Sequence, residues 1–216
     1  MSEINFIITL AWPEGMVISA GAWYDGIAST DGKYRVGHSA MLLVNGKTNK
    51  VHYFDFGRYH TPKGYGRVRD IETDADVAVI NAKINGSEID NIEDILRYVS
   101  EMKTTHGEGK MYASLIGNID FDQAYMRAKG LQDKGVFPYG PFVRQGTNCS
   151  RFVATIIQSA EPSFLKKLRL KYPFCISPSP KRNVSISNNH YYVVENGVII
   201  EVKKSKLEAY FTSIEI

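Results

Sequence analysis

Residues 36–57 read VGHSAMLLVNGKTNKVHYFDFG, and this stretch decides the fold. Apolar runs over 36–44 and 51–56 flank the cluster Asn45-Gly46-Lys47-Thr48-Asn49, the pattern of two antiparallel strands joined by a short turn. With the turn centred between Gly46 and Lys47, His38 at the mouth of the first strand faces Asp55 on the second. Opposed residues project from one face, within reach of an imidazole–carboxylate hydrogen bond. A turn centred at Asn45 would set His52 opposite His38 instead. A one-residue slip would bring Tyr53, Phe54 or Phe56 there. A lone imidazole or carboxylate among these aromatic and aliphatic neighbours is costly to bury, which favours pairing. The plainer alternatives stay open: a satisfied edge histidine, and an aspartate bonding the backbone of the Gly57 turn.

Outward from this hairpin, residues 4–11 and 16–20 read as short strands split by the turn Trp12-Pro13-Glu14-Gly15. Residues 22–33 and 57–70 read as loops, and 76–84 as a strand. Asp90 with Glu93 forms a capping-box pattern before Ile92, Ile95, Leu96, Val99 and Met102 at helical spacing, and Gly107 marks the stop. Residues 111–116 suit a strand, and Asp120 suits the cap of a helix running to about residue 131. Residues 136–146 are irregular. A third helix spans Cys149 to Ser159 with Phe152, Val153, Ile156 and Ile157 on one face. Residues 162–170 form a short basic helix, 177–189 a loop, and 190–202 a hairpin around Asn196-Gly197. No repeat or linker interrupts the chain. The expectation is one α+β domain over residues 1–216, an antiparallel sheet packed against the helix that carries the cysteine.

Composition narrows the function classes. Hydrophobic residues make up 44% and charged residues 23% of 216, which supports a core and excludes disorder as the main state. A net charge of +3 is too small to argue for nucleic acid. The two cysteines, Cys149 and Cys175, make no disulfide framework and no paired zinc spacing, so no metal or other cofactor is called for. No apolar run approaches the roughly 18 residues of a membrane span. The apolar stretch 6–12 follows Glu3 rather than basic residues and ends at Pro13, unlike a signal peptide. A cytoplasmic protein acting on a small-molecule or peptide-like substrate is expected. Asp55-Phe56-Gly57 matches the kinase magnesium triplet without the glycine-rich loop, lysine and catalytic loop a kinase needs before it.

Thr147-Asn148-Cys149-Ser150-Arg151-Phe152-Val153 carries the chemistry. Asn148 is a good helix cap, which puts Cys149 among the unpaired N–H groups of a first turn. The helix dipole and those N–H groups favour thiolate. The bland alternative is a buried cysteine opening a core helix. A nucleophilic thiol needs a base, and of His38, His52, His60, His106 and His190, His38 has a candidate partner in Asp55.

A histidine on a hairpin strand, an orienting polar residue on the return strand and a late Asn-Cys at a helix start resemble a known family. The segments Gly37-His38-Ser39-Ala40-Met41-Leu42-Leu43-Val44 and Asn148-Cys149-Ser150-Arg151-Phe152-Val153 are similar to the circularly permuted branch of the NlpC-type papain-like cysteine hydrolases, to which lecithin–retinol acyltransferase belongs. In ordinary NlpC-type enzymes the cysteine motif comes first; here the order is reversed. The resemblance implies a papain-like fold and a thiol hydrolase or acyl-transfer enzyme with no cofactor. Cys149 would attack a carbonyl, His38 would carry the proton and Asp55 would orient the ring, with His52 the alternative third residue. The Cys149 N–H would lie in the oxyanion site, with Tyr24, Tyr139 and Gln145 as candidates for a second donor. Arg58, Arg67 and Arg69 would form a cationic rim for a substrate carboxylate or phosphate, against the reading of ordinary solvated arginines. The stretch 53–70 has no counterpart in that family. An amidase or peptidase acting on a peptide-like or peptidoglycan-derived bond leads. A lipid acyltransferase or thioesterase, marked by an exposed apolar patch, and a non-catalytic binding module on the same fold are the rivals.

Overall fold

A computed structural model of the chain describes residues 3–18, 33–35, 37–140, 143–172, 179–205 and 208. In chain order the strands are β1 (Phe6–Trp12), β2 (Met16–Ile18), β3 (Lys33–Arg35), β4 (His38–Val44), β5 (Val51–Gly57), β6 (Tyr65–Arg69), β7 (Ile84–Asn85), β8 (Glu88–Ile89), β9 (Met111–Gly117), β10 (Phe137–Pro138), β11 (His190–Glu195) and β12 (Val198–Lys203). The helices are α1 (Ile92–Glu101), α2 (Phe121–Gln132), α3 (Cys149–Ser159), α4 (Phe164–Lys171) and α5 (Pro180–Ser187). One antiparallel sheet runs β10-β6-β5-β4-β1-β9-β11-β12. This is the α+β class expected from the sequence.

Both faces of the sheet centre are covered, which is why β1 is a continuous apolar run rather than an alternating one. On one face Ile7, Met41, Leu43, Phe54 and Phe56 pack against α2 and against Phe152, Val153, Ile156 and Ile157 of α3. On the other, Ile8, Leu10, Trp12, Leu42 and Tyr53 pack against α1 and the segment around Val77 and Ala82. The expected apolar stripe of the cysteine helix is fully used: those four side chains are at most 1% exposed. Among the described residues, no helix is long and apolar enough to cross a membrane.

Several elements differ from the sequence expectation. The hairpin register pairs Ala40 with Asp55 and Val44 with Val51, so the turn is centred one residue later than expected and His38 is not directly opposite Asp55. The reason lies in the turn: Asn45 Oδ1 accepts from the N–H groups of Lys47 and Thr48, and Asn49 closes the loop with φ of 59°. Residues 65–69, inside the expected loop, form β6 against β5. The expected strand over 76–84 is a 3₁₀ turn at Ala75–Val77 followed by irregular chain, with β7 beginning only at Ile84. The capping box at Asp90 does not form. Asn91 occupies the cap position and uses its side chain instead to hold Asn81 O and the Lys83 N–H.

The expected loop over 177–189 contains α5, capped by Ser179 with Pro180 in its first turn. Its small polar residues meet hydrogen-bonding partners under the sheet: Ser187 bonds Thr9, Val184 O accepts from Ser114, and Asn183 donates to Ser150 O beside the cysteine.

Candidate active site

His38 opens β4 where Trp12 ends β1, and the two are cross-strand partners. Gly37 turns the chain into the strand with φ of 64°, and a Cβ there would lie 2.4 Å from the Trp12 carbonyl oxygen, so glycine is required. The imidazole stacks on the Trp12 indole with centroids 5.9 Å apart, and the side chain is 12% exposed. Its Nε2 lies 3.0 Å from Asp55 Oδ2. The two-residue offset in register preserves the face, because side chains alternate with period two. The imidazole therefore reaches the carboxylate on the diagonal rather than straight across.

Asp55 is fully buried and surrounded by donors. Besides His38, its Oδ2 accepts from Tyr53 Oη at 2.9 Å, Tyr59 Oη at 2.8 Å and Arg69 Nη2 at 2.7 Å, while Oδ1 accepts from Arg69 Nε at 3.1 Å. Burial alone would raise its pKa. The hydrogen bonds and positive charges of His38 and Arg69 outweigh burial and hold the carboxyl well below the usual range.

Cys149 is the first residue of α3 and 5% exposed. Asn148 caps the helix, its Oδ1 accepting from the Arg151 N–H at 2.8 Å. The His38 imidazole lies close enough to the thiol to favour its ionised form. With Nε2 engaged by Asp55, Nδ1 is the ring nitrogen left to serve it. Burial pushes the thiol pKa up. The His38 hydrogen bond and charge, the Ser150 hydroxyl and the Ser39 N–H more than offset this, and the net shift is downward. Burial likewise pulls His38 down, but Asp55 and Cys149 raise it to about 9. Both shifts act in the direction of the ionised forms, thiolate and imidazolium.

Tyr139, on the chain leading to the cysteine, places its hydroxyl 4.0 Å from Cys149 Sγ and within reach of the Cys149 backbone N–H. Burial and the adjacent sulfur charge push its pKa well above 10, so it remains an O–H donor. Its ring stacks on Phe56, 7° from parallel. A cleft of about 540 Å³ opens beside His38 and Tyr139 and is lined by Tyr59, Arg58 and His106 among others. Among the described residues, no cluster of three His, Cys, Asp or Glu side chains is placed to hold a metal ion.

The other sequence candidates fall in different places. His52 pairs with Leu43 on the opposite face of the sheet and packs against Phe121 and Tyr125, so the structure does not bring it to His38. Gln145 is exposed in a separate groove with Arg127, Lys134 and Arg151, away from the cleft. Tyr24 and Cys175 lie outside the described residues. Arg58 lines the cleft over the Tyr139 ring. The cationic rim does not form as expected: Arg67 is tied to Asp74 and the Tyr59 carbonyl, and Arg69 is buried against Asp55. Arg69, Tyr53 and Tyr59 were not anticipated as partners of Asp55. The available signal was β6 itself, where Arg69 stands directly across from Asp55.

The model of a protein family described as type VI secretion system effector TseH-like matches residues 7–163. The chain belongs to that family. No curated protein matches the chain. Among solved structures, the crystal structure of the type VI secretion system effector TseH is similar with a TM-score of 0.64 and 19% identity, covering 94% of this chain and 100% of that one. That likeness shows a shared fold. The segment matched to the TseH-like family holds His38, Asp55, Arg69, Tyr139 and Cys149 and ends just before α4 begins at Phe164.

Proposed function

We propose that this TseH-like protein is a thiol hydrolase of papain-like type, in the permuted NlpC order. It would cleave an amide bond of a peptide or peptidoglycan-derived substrate. One observation carries the reading: the His38 ring is held between the Asp55 carboxylate and the thiol of Cys149 at a helix N-terminus. In this reading the Cys149 thiolate attacks the amide carbonyl. Negative charge develops on the carbonyl oxygen beside the Cys149 N–H and the Tyr139 hydroxyl. The His38 imidazolium then protonates the departing amine, leaving an acyl-enzyme. Water, deprotonated by His38, releases the acid and restores the thiolate. Asp55 keeps the ring in one tautomer and orientation throughout.

Membership of an effector family of a secretion system bears on location. Export by such a system removes the need for a conventional signal peptide, so the start of the chain does not restrict this protein to the cytoplasm. A cell-wall peptide amide is the substrate class that fits both an exported effector and a thiol amidase. The non-catalytic alternative expected a thiol far from the imidazole and no cleft, and the geometry supports the opposite.

A second reading, lipid acyl transfer or thioester cleavage, draws on α4, which exposes Phe164, Leu165 and Leu168 beside Lys166 and Lys167. That helix follows the end of α3 opposite to Cys149, which favours the amidase. The test is incubation with peptidoglycan fragments and with acyl esters, scoring new amino termini against released fatty acid. A cysteine-directed vinyl sulfone should label Cys149 in the wild type and not in His38→Ala. Labelling elsewhere, or labelling indifferent to His38, would sink the thiol-hydrolase reading.

A further inference from the structure

A buried carboxylate against an imidazole orients the ring but also holds its proton. The carboxylate also stabilises the imidazolium as a whole, and a general acid must give up its other ring proton, on Nδ1, in every cycle, so an uncompensated buried aspartate would make His38 a poor acid. The site contains the compensation. Arg69, with its side chain 4% exposed, clasps both oxygens of Asp55 in the planar two-bond geometry peculiar to guanidinium. The same guanidinium donates to Thr104 O at 3.0 Å and lies 3.4 Å from the centre of the Tyr59 ring. Tyr59 also stacks with His106, at 5.3 Å between centroids. Its hydroxyl donates to Asp55 Oδ2 and comes within 3.4 Å of His38 Nε2.

We propose that Arg69 and Tyr59 are positioning residues that lock the Asp55 carboxylate and draw off part of its charge, so that His38 is held in place yet releases its proton. The inference rests on the thiol-hydrolase reading. It assigns roles to residues that touch neither the sulfur nor a substrate carbonyl. Other groups facing this cluster are Tyr53, neutral and donating to Asp55, and His106 and Arg58 at the cleft.

The test uses the full chain with labelled histidine. The titration of the His38 ring is followed by NMR, and the iodoacetamide rate at Cys149 is measured across the same pH range. In the wild type the ring should titrate near 9, and low-pH alkylation should vanish in His38→Ala. Arg69→Gln should raise the His38 titration by about one pH unit, because a cation that opposed the imidazolium has gone. Arg69→Lys should bring it back towards the wild type. Tyr59→Phe removes a donor to Oδ2 while keeping the ring under the guanidinium, and should shift the titration upward by less. It carries the test if Arg69→Gln does not fold. An unmoved or lowered titration in folded variants would overturn the inference and leave the thiol-hydrolase reading intact. A wild-type thiol whose reactivity ignores His38 would overturn both.

Discussion

The thiol and its two partners occupy unlike surroundings, and each surrounding has a measurable consequence. Cys149 gains from a helix N-terminus, an imidazole and two further donors, so iodoacetamide at neutral pH should modify it ahead of Cys175. Peptide mapping of the alkylated protein decides this, and preferential loss of Cys175 would contradict it. Asp55→Asn keeps the shape of the side chain but cannot accept from both Arg69 and His38 as an anion. An activity loss approaching the roughly 10⁴-fold effect of the analogous change in a serine triad is expected, read from turnover of whichever amide proves to be the substrate. At this scale the sequence was legible through parity. The hydrophobic pattern sets His38 and Asp55 on one face in either register, since a shift of two residues leaves the face unchanged. A cation is harder to read. Nothing in Arg58, Arg67 and Arg69 as letters separates the one at the cleft over Tyr139, the one on the half-buried Asp74 and the one buried on Asp55.

Elements were legible where an apolar period or a standard cap marked them and illegible where small polar residues did the packing. The Cys149–Ser159 helix matched its reading because its stripe faces the core and Asn148 caps it. Asn148→Ala should cost about 1 kcal/mol of stability, measured by denaturant unfolding, by freeing the Arg151 N–H. Helix α5 was missed because Asn183, Ser185 and Ser187 look like loop residues, whereas each is buried beneath the sheet. Gly107 offers a sharper check on how elements support the site. A Cβ there would meet the Trp12 ring at 2.4 Å, and that ring carries the His38 imidazole. Gly107→Ala should therefore destabilise by roughly 1–3 kcal/mol and slow alkylation of Cys149 as well. A melting shift without any change in thiol reactivity would show that Trp12 moves away from His38 rather than against it.

For the molecule as a whole, the shifted groups dictate how stability responds to pH. The carboxyl of Asp55 is depressed in the fold. Its contribution is present above the unfolded value of about 3.9 and is lost as pH falls through its folded value. His38 is raised to about 9, so its contribution is complete below about 6.5 and fades as pH climbs to that value. The lowered Cys149 acts in the opposite sense, adding stability as pH rises from its folded value towards about 8.5. The two act in opposite senses between the folded value of Cys149 and about 8.5. Cys149→Ala should consequently show a steeper fall in Tm between about pH 7 and 8.5 than the wild type; parallel curves would mean the thiol is not ionised in the fold. The route of the chain through the sheet has a further consequence, for folding order. Imidazole and carboxylate belong to one hairpin and can meet early, because the loop between them is short. The nucleophile comes later in the chain, on α3 beyond β9 and α2, and the Asn183 side chain that holds Ser150 O beside it comes later still, on α5. A chain threaded through a narrow passage, or emerging from a ribosome, would thus carry half a site and no reactivity. Its chemistry would be armed only on completion of the last long-range contacts.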